Sequence, residues 1–389
     1  MPRPLTVLAP TRYPGVFNCP RGGRHHIVRT PFVPLNKVSS RLQGIMLHPP
    51  QRRRYDLIHA VNRIPLVRKP FVITFESHLP RVFSHEGGMI DRMLRGRLAS
   101  DDCRAIIAKS TWARGMFLDQ HRDNPELPMF LGKLRVVYPN VAAAADPRLD
   151  PVPGRTGLKL VFVGNHFARK GGVVAVRLAR LAHERGLPIE VEIVSKLECG
   201  GGIWTDPPDA SLFAQDLELL ALPNVRFHRG LANGEVMRLL QDADFSLLPT
   251  LSDTFGFSVI EGFSVGTPAI VTSLNALPEM VTDGESGIVL PLPADANNEW
   301  LHLGRRLEPG YGSILNDTYD ELAGAMLARL EPLLGDLETL VKLRRGCYQT
   351  VLQRFDAERA NALFDRLYEE AMEGPITEPR TAPAPSAVA

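Results

Sequence analysis

The sequence lacks any apolar run near the ~20 residues that a membrane-spanning helix needs. It holds only four cysteines, Cys19, Cys103, Cys199 and Cys347, whose spacing suggests neither a disulfide framework nor a zinc site. The apolar stretch at the N-terminus is too short for a signal peptide. These absences favour a soluble protein with reduced thiols, and we expect it in the cytoplasm.

Net charge is also nearly absent, at +2, but the two parts of the chain are oppositely charged. Residues 1–150 contain 24 Lys and Arg against 11 Asp and Glu, whereas the remaining residues contain 21 against 32. A basic first part favours an anionic partner, such as a phospholipid surface, a phosphorylated acceptor or an acidic glycan. The equal alternative is that the two parts attract each other across a cleft.

Short apolar runs rich in β-branched residues alternate with helix-length amphipathic segments along the chain. This alternation is typical of βαβ units, and therefore predicts an α/β protein with parallel sheets. Residues 141–157 predict a linker, so we expect an N-terminal domain over 1–145 and a C-terminal domain over 158–355. A helix over 356–373 is expected to complete the N-terminal domain, and residues 374–389 to form a disordered tail.

The most informative segment runs from Phe245 to Pro268, where a buried strand leads through a polar loop into a helix. Gly256 lies where that helix begins, so backbone amides and the helix dipole are expected to form an anion site there. Asp253 precedes the helix and can reach sugar hydroxyls. Glu261, eight residues further on, can accept hydrogen bonds from a ribose diol.

This segment resembles the donor-binding signature of glycosyltransferase family 4, whose members are retaining enzymes of the GT-B fold. Glu261-Gly262-Phe263-Ser264-Val265-Gly266-Thr267-Pro268 matches the family pattern, while Asp253 replaces its first Glu and Thr254-Phe255-Gly256 replaces the common Gly-Phe-Gly. The resemblance implies two Rossmann-like, doubly wound domains facing a central cleft. It also implies that Glu261 holds the ribose, and that Asp253 with the adjacent residues Thr254, Phe255, Gly256 and Phe257 holds the transferred hexose.

A second segment, Leu160 to Gly172, reads as a strand, a glycine turn at Gly164 and a basic pair, Arg169 and Lys170, that opens a helix. Positive charge beside a helix N-terminus can neutralise a diphosphate and stabilise it as it leaves. The segment is similar to the family's phosphate motif, with Lys170 matching its lysine. Asn165 stands where the family usually has arginine, and Arg169 is expected to substitute.

The first part of the chain is expected to present the acceptor. Phe71 to Pro80 resembles the strand and loop where the family often has a catalytic histidine, which makes Glu76 and His78 candidates for accepting the acceptor proton or for orienting the sugar. Gly15 is a weaker candidate for a phosphate loop, and His59, Asn62 and Arg63 for the acceptor pocket. For the glycine and both histidines, a structural role is an equal or better alternative.

Two basic clusters, Gln51–Arg54 and Arg92/Arg95/Arg97, are candidates for an anionic membrane surface. Neither is interleaved with aromatic residues, which argues against nucleic acid as a partner. Asp242-Ala243-Asp244 resembles a metal-binding DxD motif, but it lies where a helix is followed by a buried strand. No other pattern in the sequence suggests a required metal.

The resulting interpretation is a metal-independent, retaining hexosyltransferase that uses a nucleoside-diphosphate sugar and a glycan or lipid-linked hydroxyl acceptor. It is expected to work in cell-surface glycan or glycolipid biosynthesis, peripheral to the inner face of the membrane. A GT-B epimerase or phosphorylase is less favoured, and the dinucleotide-binding GxGxxG pattern of a dehydrogenase is missing from both domains. The alternative from another class is a non-catalytic GT-B scaffold recruited to an anionic surface, which the Asn165 and Asp253 departures keep open.

Overall fold

The computed structural model describes residues 3–11, 22–51, 54–83, 85–152 and 154–376. By its internal contacts the chain divides into two compact units. The first consists of residues up to Asn140 together with those from Ala357 onward, and the second of Val141–Asp356. No helix in the described ranges is both long enough and apolar enough to cross a membrane.

The first unit is built on a six-stranded parallel sheet of order β2-β1-β4-β6-β7-β8. The central strands are fully buried runs of Val, Ile, Leu and Phe, as expected for a sheet covered on both faces. A separate two-stranded pair joins β3 to β5. The strands are β1 (Thr6–Pro10), β2 (His26–Thr30), β3 (Ile45–Met46), β4 (Leu57–Val61), β5 (Ile64–Pro65), β6 (Phe71–Phe75), β7 (Cys103–Ala108) and β8 (Leu134–Val136).

Helices cover both faces of this sheet. One set follows the strands: α1 (Met89–Ala99), α2 (Thr111–Gln120) and α3 (Leu127–Lys133). Ser110 begins α2 by accepting a hydrogen bond from the Ala113 amide, as expected from a serine at an N-cap. The C-terminal helix (Ala357–Glu373) returns to the other face, where Phe364, Leu367 and Tyr368 pack in one cluster with residues of β1 and β4.

The second unit is a six-stranded parallel sheet of order β11-β10-β9-β12-β13-β14, which is the Rossmann order. Its strands are β9 (Leu158–Val163), β10 (Ile189–Val194), β11 (Val225–His228), β12 (Phe245–Leu248), β13 (Ala269–Thr272) and β14 (Gly287–Leu290). Its helices are α4 (Gly172–Glu184), α5 (Ala214–Glu218), α6 (Asn233–Asp242), α7 (Phe257–Ser264), α8 (Leu277–Met280), α9 (Tyr311–Leu330) and α10 (Leu337–Thr350), and a π-helical turn (Val351–Phe355) follows α10.

The segment predicted to be a linker, residues 141–157, belongs to the second unit. The Val141 amide donates to the Phe355 carbonyl, and Arg148 donates to carbonyls at the end of α6. Composition predicted irregular structure correctly but not that the segment would be tied down by hydrogen bonds. Helix α9 begins at Tyr311, directly after Gly310, whose φ of 82° is a conformation that glycine adopts readily.

A buried charge network closes the end of the second unit. Asp244 accepts from Arg344 at 2.8 Å, and Arg148 and Arg155 also contact its carboxylate. Asp242 pairs with Arg155 and Lys159, both at 2.7 Å. Asp242 and Asp244, which resemble a metal-binding pair, thus both form ion pairs with basic side chains just before β12.

Replacing Arg344 by Leu is expected to lower the free energy of unfolding by ~3–5 kcal/mol, because it removes one partner of a buried ion pair. The measurement is chemical or thermal unfolding of the purified protein. Arg345→Leu is the matched control, since Arg345 and its partner Asp150 are exposed and 3.7 Å apart, and such pairs contribute less than ~1 kcal/mol. Equal losses in the two variants would contradict this account.

Candidate functional site

The strand order of the second sheet reverses between β9 and β12, and ligands of such sheets bind beyond the carboxyl ends of the strands at that point. Both predicted donor segments lie there. The Gly164–Lys170 turn follows β9, and the Thr250–Gly256 loop follows β12. The fold therefore brings together two segments that are about eighty residues apart in the sequence.

Lys170 and Asp253 form an ion pair, with Lys170 Nζ 2.7 Å from Asp253 Oδ2. The other oxygen, Asp253 Oδ1, accepts hydrogen bonds from the amides of Phe255 (3.2 Å) and Gly256 (3.0 Å). Burial raises the pKa of the Asp253 carboxyl, but Lys170 and Arg169 outweigh burial and hold that pKa well below its ordinary value. Asp253 is therefore an ionised carboxylate that binds the proposed phosphate lysine and the start of α7 together.

This geometry corrects the prediction of open amides at Gly256. The amides of Phe255 and Gly256 are occupied by the Asp253 side chain, because an aspartate readily accepts from the amides two and three residues after it in a turn. An incoming phosphate must therefore compete with Asp253 for those two donors. Glu261 lies in the second turn of α7 and is partly exposed, as are Thr254 and Phe257.

Arg169 is held in place by two neighbours. Its Nη1 donates to the Ser252 carbonyl at 2.9 Å, and its Nη2 lies 2.8 Å from His166 Nδ1. Burial and the adjacent Arg169 lower the pKa of His166, which favours a neutral imidazole that accepts from the guanidinium. Asn165, which stands in place of the usual arginine, has an exposed side chain.

Two glycines allow the β9 turn to approach its surroundings. A Cβ on Gly164 would lie 2.9 Å from Lys170 Cδ, so glycine lets the Lys170 stem pass over the turn. Gly171 has a φ of 89°, and a Cβ there would lie 2.3 Å from the Pro249 carbonyl oxygen. Glycine at both positions therefore fits the placement of Lys170 next to the loop after β12.

A second polar cluster lies at the carboxyl ends of three neighbouring strands in the first unit. Asn62 follows β4, Glu76 follows β6 and Lys109 follows β7. Glu76 Oε1 is 2.7 Å from Lys109 Nζ, and Glu76 Oε2 accepts from Arg81 at 2.9 Å and from Asn62 at 3.0 Å. The Lys109 side chain is only 1% exposed, whereas that of Glu76 is 21% exposed.

The environment of Glu76 does not suit the predicted role of proton acceptor. Burial raises the pKa of Glu76, but Lys109 and Arg81 outweigh it and lower the pKa to about 2. A general base works best with a pKa near the working pH. Glu76 is better suited to accept hydrogen bonds as a permanent carboxylate, and to orient Arg81 and Asn62.

The two candidate histidines differ. His59 is fully buried, with Nδ1 2.7 Å from the Tyr368 hydroxyl and Nε2 2.7 Å from Thr74 Oγ1. Burial lowers its pKa to about 3, so His59 is a neutral core residue without surface for an acceptor, which corrects the acceptor-pocket interpretation. His78 is partly exposed, and burial and then Arg81 lower its pKa, so it is the more suitable proton acceptor.

The remaining acceptor-side candidates are also placed. Asn62 is buried with a φ of 57° and bonds Glu76 at both ends of its amide. Arg63 is largely buried, donates to the Gln43 carbonyl at 2.9 Å and lies over the Phe32 ring. Asn62 therefore joins the Glu76 cluster, whereas Arg63 contacts the earlier segment that contains Phe32 and Gln43. Gly15 lies outside the described residues.

The predicted basic face of α1 is largely absent. Arg95 contacts Asp91 and Glu126, and Arg97 donates to the Val67 carbonyl and to Asp102. Arg92 is the exposed member of that trio. Part of the Gln51–Arg54 cluster, Arg52 and Arg53, lies outside the described residues.

Sequence reasoning missed Lys109, Arg81 and His166. Lys109 had a usable signal, because it directly follows a predicted strand, as Glu76 does. Arg81 and His166 had none, since each matters only through a neighbour brought close by the fold.

Comparison with known proteins gives the class first. Residues 155–302 match the family model described as "Glycosyl transferases group 1". A mannosyltransferase of Mycolicibacterium hassiacum, named "MMP alpha-(1->4)-mannosyltransferase", is 31% identical over 172 residues, which are 43% of this chain and 39% of that protein. A "D-inositol 3-phosphate glycosyltransferase" of Acidothermus cellulolyticus is 26% identical over 52% of this chain and 46% of its own length. The chain thus spans less than half the length of these relatives.

Solved structures extend the likeness to nearly the whole chain. A glycosyltransferase from Rickettsia africae aligns with a TM-score of 0.61 over 95% of this chain and 99% of its own, at 13% identity. Anabaena HepE in complex with UDP aligns with a TM-score of 0.56 over 94% and 100%, also at 13% identity. At this identity the likeness shows the fold, which is α/β with two Rossmann-like domains of the GT-B type.

Replacing Lys109 by Met is expected to lower the free energy of unfolding at neutral pH. It is also expected to make that free energy depend less on pH under acidic conditions. The pKa of Glu76 is about 2 when folded and lies near 4.5 when unfolded, so the stabilisation is present above about pH 4.5 and is lost as pH falls toward 2. This difference corresponds to on the order of 3 kcal/mol.

The measurement is urea unfolding of both proteins between pH 3 and pH 7. Lys37→Met, which removes an exposed lysine of the same unit, is the control and should follow the wild type. Parallel stability curves for Lys109→Met and the wild type would show that Lys109 does not set the ionisation of Glu76.

Proposed function

We propose that the protein is a retaining glycosyltransferase that moves a hexose from a nucleoside-diphosphate sugar to a hydroxyl acceptor, in cell-surface glycan or glycolipid biosynthesis. The observation that carries the proposal is the Lys170–Asp253 pair at the strand-order reversal of a Rossmann sheet. The family match over 155–302 supports the same activity, and HepE is a fold neighbour whose crystals contain UDP.

In this proposal Lys170 and Arg169 bind the diphosphate, Glu261 binds the ribose and Asp253 binds the transferred hexose. Asp253 suits the role of accepting hydrogen bonds from hydroxyl groups of the donor sugar, because its carboxylate stays ionised. Gly164 and Gly256 give the ligand access to the turns, and Asn165, Thr254, Phe255 and Phe257 line the same loops.

The proposed chemistry is front-face substitution. The acceptor hydroxyl attacks the anomeric carbon from the side on which the diphosphate leaves, and Lys170 and Arg169 stabilise the charge that develops on the leaving oxygens. Retention rests on the family resemblance. No metal is required in this proposal, because the two cations take the role that a divalent ion has elsewhere.

The acceptor side is assigned to the cluster at the strand ends of the first unit. Glu76 is proposed to bind acceptor hydroxyls as a carboxylate, while His78 is the group that takes up a proton. The acceptor is proposed to be a glycan or a lipid-linked sugar. The non-catalytic scaffold is not favoured, because Asp253 retains contact with the phosphate lysine despite its shorter side chain.

Replacing Lys170 by Ala is expected to weaken nucleoside-diphosphate binding about 10- to 100-fold, because a charge-assisted hydrogen bond contributes ~1.5–3 kcal/mol. The assay is calorimetry in EDTA with UDP, GDP and ADP and with UDP-glucose, GDP-mannose and ADP-glucose. Arg185→Ala, at the exposed end of α4, is the control and should bind like the wild type. Donor hydrolysis that is equal and at background level in wild type and Lys170→Ala would favour the scaffold.

We also propose a cytoplasmic location with peripheral association to the anionic inner face of the membrane. The α1 face supports it: Met89 and Met93 are exposed apolar side chains, and Met89 is 78% exposed. Exposed Arg92 lies among them, and Arg97 joins α1 to the exposed basic segment Val67–Lys69 through a 2.8 Å hydrogen bond to the Val67 carbonyl. Apolar and basic side chains together suit the surface of an anionic bilayer.

The double variant Met89→Ser, Arg92→Glu is expected to reduce partitioning onto vesicles of phosphatidylcholine with phosphatidylglycerol at least fivefold, since each basic residue contributes ~1 kcal/mol near such a surface. Cosedimentation measures it, with pure phosphatidylcholine vesicles for comparison. The control is Leu307→Ser, Arg185→Glu in the second unit, where both side chains are exposed. Unchanged cosedimentation of the α1 variant would rule out this face.

A further inference from the structure

Two polar side-chain groups near Asp253 are buried without a hydrogen-bond partner among the described residues. One is near Asp253 in the sequence, and the other belongs to a residue that contacts it. They are the Ser258 hydroxyl oxygen and the Asn275 side-chain nitrogen Nδ2. Ser258 is 9% exposed and Asn275 is 3% exposed. Buried polar groups of this kind are nearly always hydrogen-bonded, to protein or to ordered water, so these two groups are available to a partner from outside the chain.

Asn275 is fixed by every other polar atom that it has. Its Oδ1 accepts from the Asp253 amide at 3.1 Å, and its backbone amide and carbonyl both bond Asn298, at 2.8 and 3.0 Å. Its φ of 52° is a conformation that glycine adopts most easily and asparagine tolerates. The side-chain NH2 is thus held beside Asp253 although the fold makes no use of it.

Ser258 follows Asp253 by five residues in the sequence. It is the second residue of α7, two residues after Gly256, whose amide donates to Asp253 Oδ1. The Ser258 hydroxyl does not hold the turn before the helix, since the amides of that turn donate to Asp253. The two unpaired groups therefore belong to the two segments that contact Asp253, one from the loop after β13 and one from α7.

The Asp253 carboxylate itself has capacity left. An ionised carboxylate offers about four acceptor positions. Two on Oδ1 are taken by the amides of Phe255 and Gly256, and one on Oδ2 by Lys170. The free position on Oδ2 can accept a hydrogen bond, and Asn275 Nδ2 can donate one. A sugar hydroxyl, which donates one hydrogen bond and accepts others, satisfies both.

We propose that Ser258 and Asn275, together with Asp253, form the subsite that recognises a hydroxyl of the transferred sugar. This inference rests on the proposed function and adds two residues to which the donor motifs assign no role: Ser258, inside the Phe245–Pro268 segment, and Asn275, beyond it. A phosphate oxygen suits the subsite less, because the ionised carboxylate repels it. The sugar hydroxyl donates to Asp253 Oδ2 and accepts from Asn275 Nδ2, and Ser258 bonds the same sugar.

The test separates sugar recognition from nucleotide recognition. Kd values are measured by calorimetry for wild type, Ser258→Ala and Asn275→Gly, with UDP, GDP and ADP and with UDP-glucose, GDP-mannose and ADP-glucose. Each variant should weaken binding of the sugar-bearing ligand about 2- to 10-fold, the equivalent of ~0.5–1.5 kcal/mol per hydrogen bond, and leave that of the matching free nucleotide within about twofold.

Thermal unfolding without ligand gives an independent readout. Ser258→Ala removes an unpaired buried hydroxyl, so its Tm should equal or exceed that of the wild type. Ser264→Ala is the matched control on α7, because the Ser264 hydroxyl donates to the Glu261 carbonyl at 2.7 Å, and its loss should lower the Tm.

The outcomes distinguish the two levels of the proposal. If the wild type binds none of the six ligands, the proposed function is overturned, and this inference with it. If the wild type binds a nucleotide sugar and both variants bind it equally well, the proposed function stands and the subsite is overturned. Equal weakening of the sugar-bearing and free nucleotides would also overturn it, since the two residues would then act through the fold of the loop.

Discussion

The second unit depends on one carboxylate. Asp253 accepts hydrogen bonds from two backbone amides at the start of α7 and from the Lys170 ammonium group of the β9 turn. It therefore joins two segments that are far apart in the sequence. Its amide is held in turn by Asn275 from the loop after β13. Three strand ends therefore meet at one residue. A side chain that orders so much of the site without a ligand leaves little to be reorganised when a ligand binds, which is how a fold lowers the entropic cost of recognition.

The first unit uses the same device. Asn62, Glu76 and Lys109 follow three adjacent parallel strands, and Glu76 is the carboxylate that the other two and Arg81 surround. In both units burial alone would favour the protonated acid, and neighbouring cations reverse that preference. The consequence is that Asp253 and Glu76 are acceptors of hydrogen bonds at any physiological pH.

Buried polar groups divide here into those that the fold completes and those that it leaves unpaired. The Asp244 carboxylate is of the first kind, because three arginines contact it and so join the residue 141–157 segment and α10 to the sheet. Arg148 Nη1 and Arg344 Nε in the same network have no partner among the described residues. Ser258 and Asn275 are incomplete, although their surroundings are just as buried. An unpaired buried group costs free energy, and we infer binding at Ser258 and Asn275 because they belong to the segments that contact Asp253, not from burial alone.

The sequence by itself determined the α/β class, the parallel sheets and the two donor segments, because those properties follow from local periodicity, strand-to-helix turns and the order of Gly164, Lys170, Asp253 and Glu261. It also placed Glu76 at a strand end. Only the tertiary structure decided which charges are paired. It pairs Lys109 with Glu76, and it pairs Arg95 and Arg97 with acidic neighbours. It also buries His59 between Tyr368 and Thr74. The physical reason is that a pKa, an exposed charge and an unpaired donor depend on neighbours that are distant in the chain, and local patterns carry no information about them.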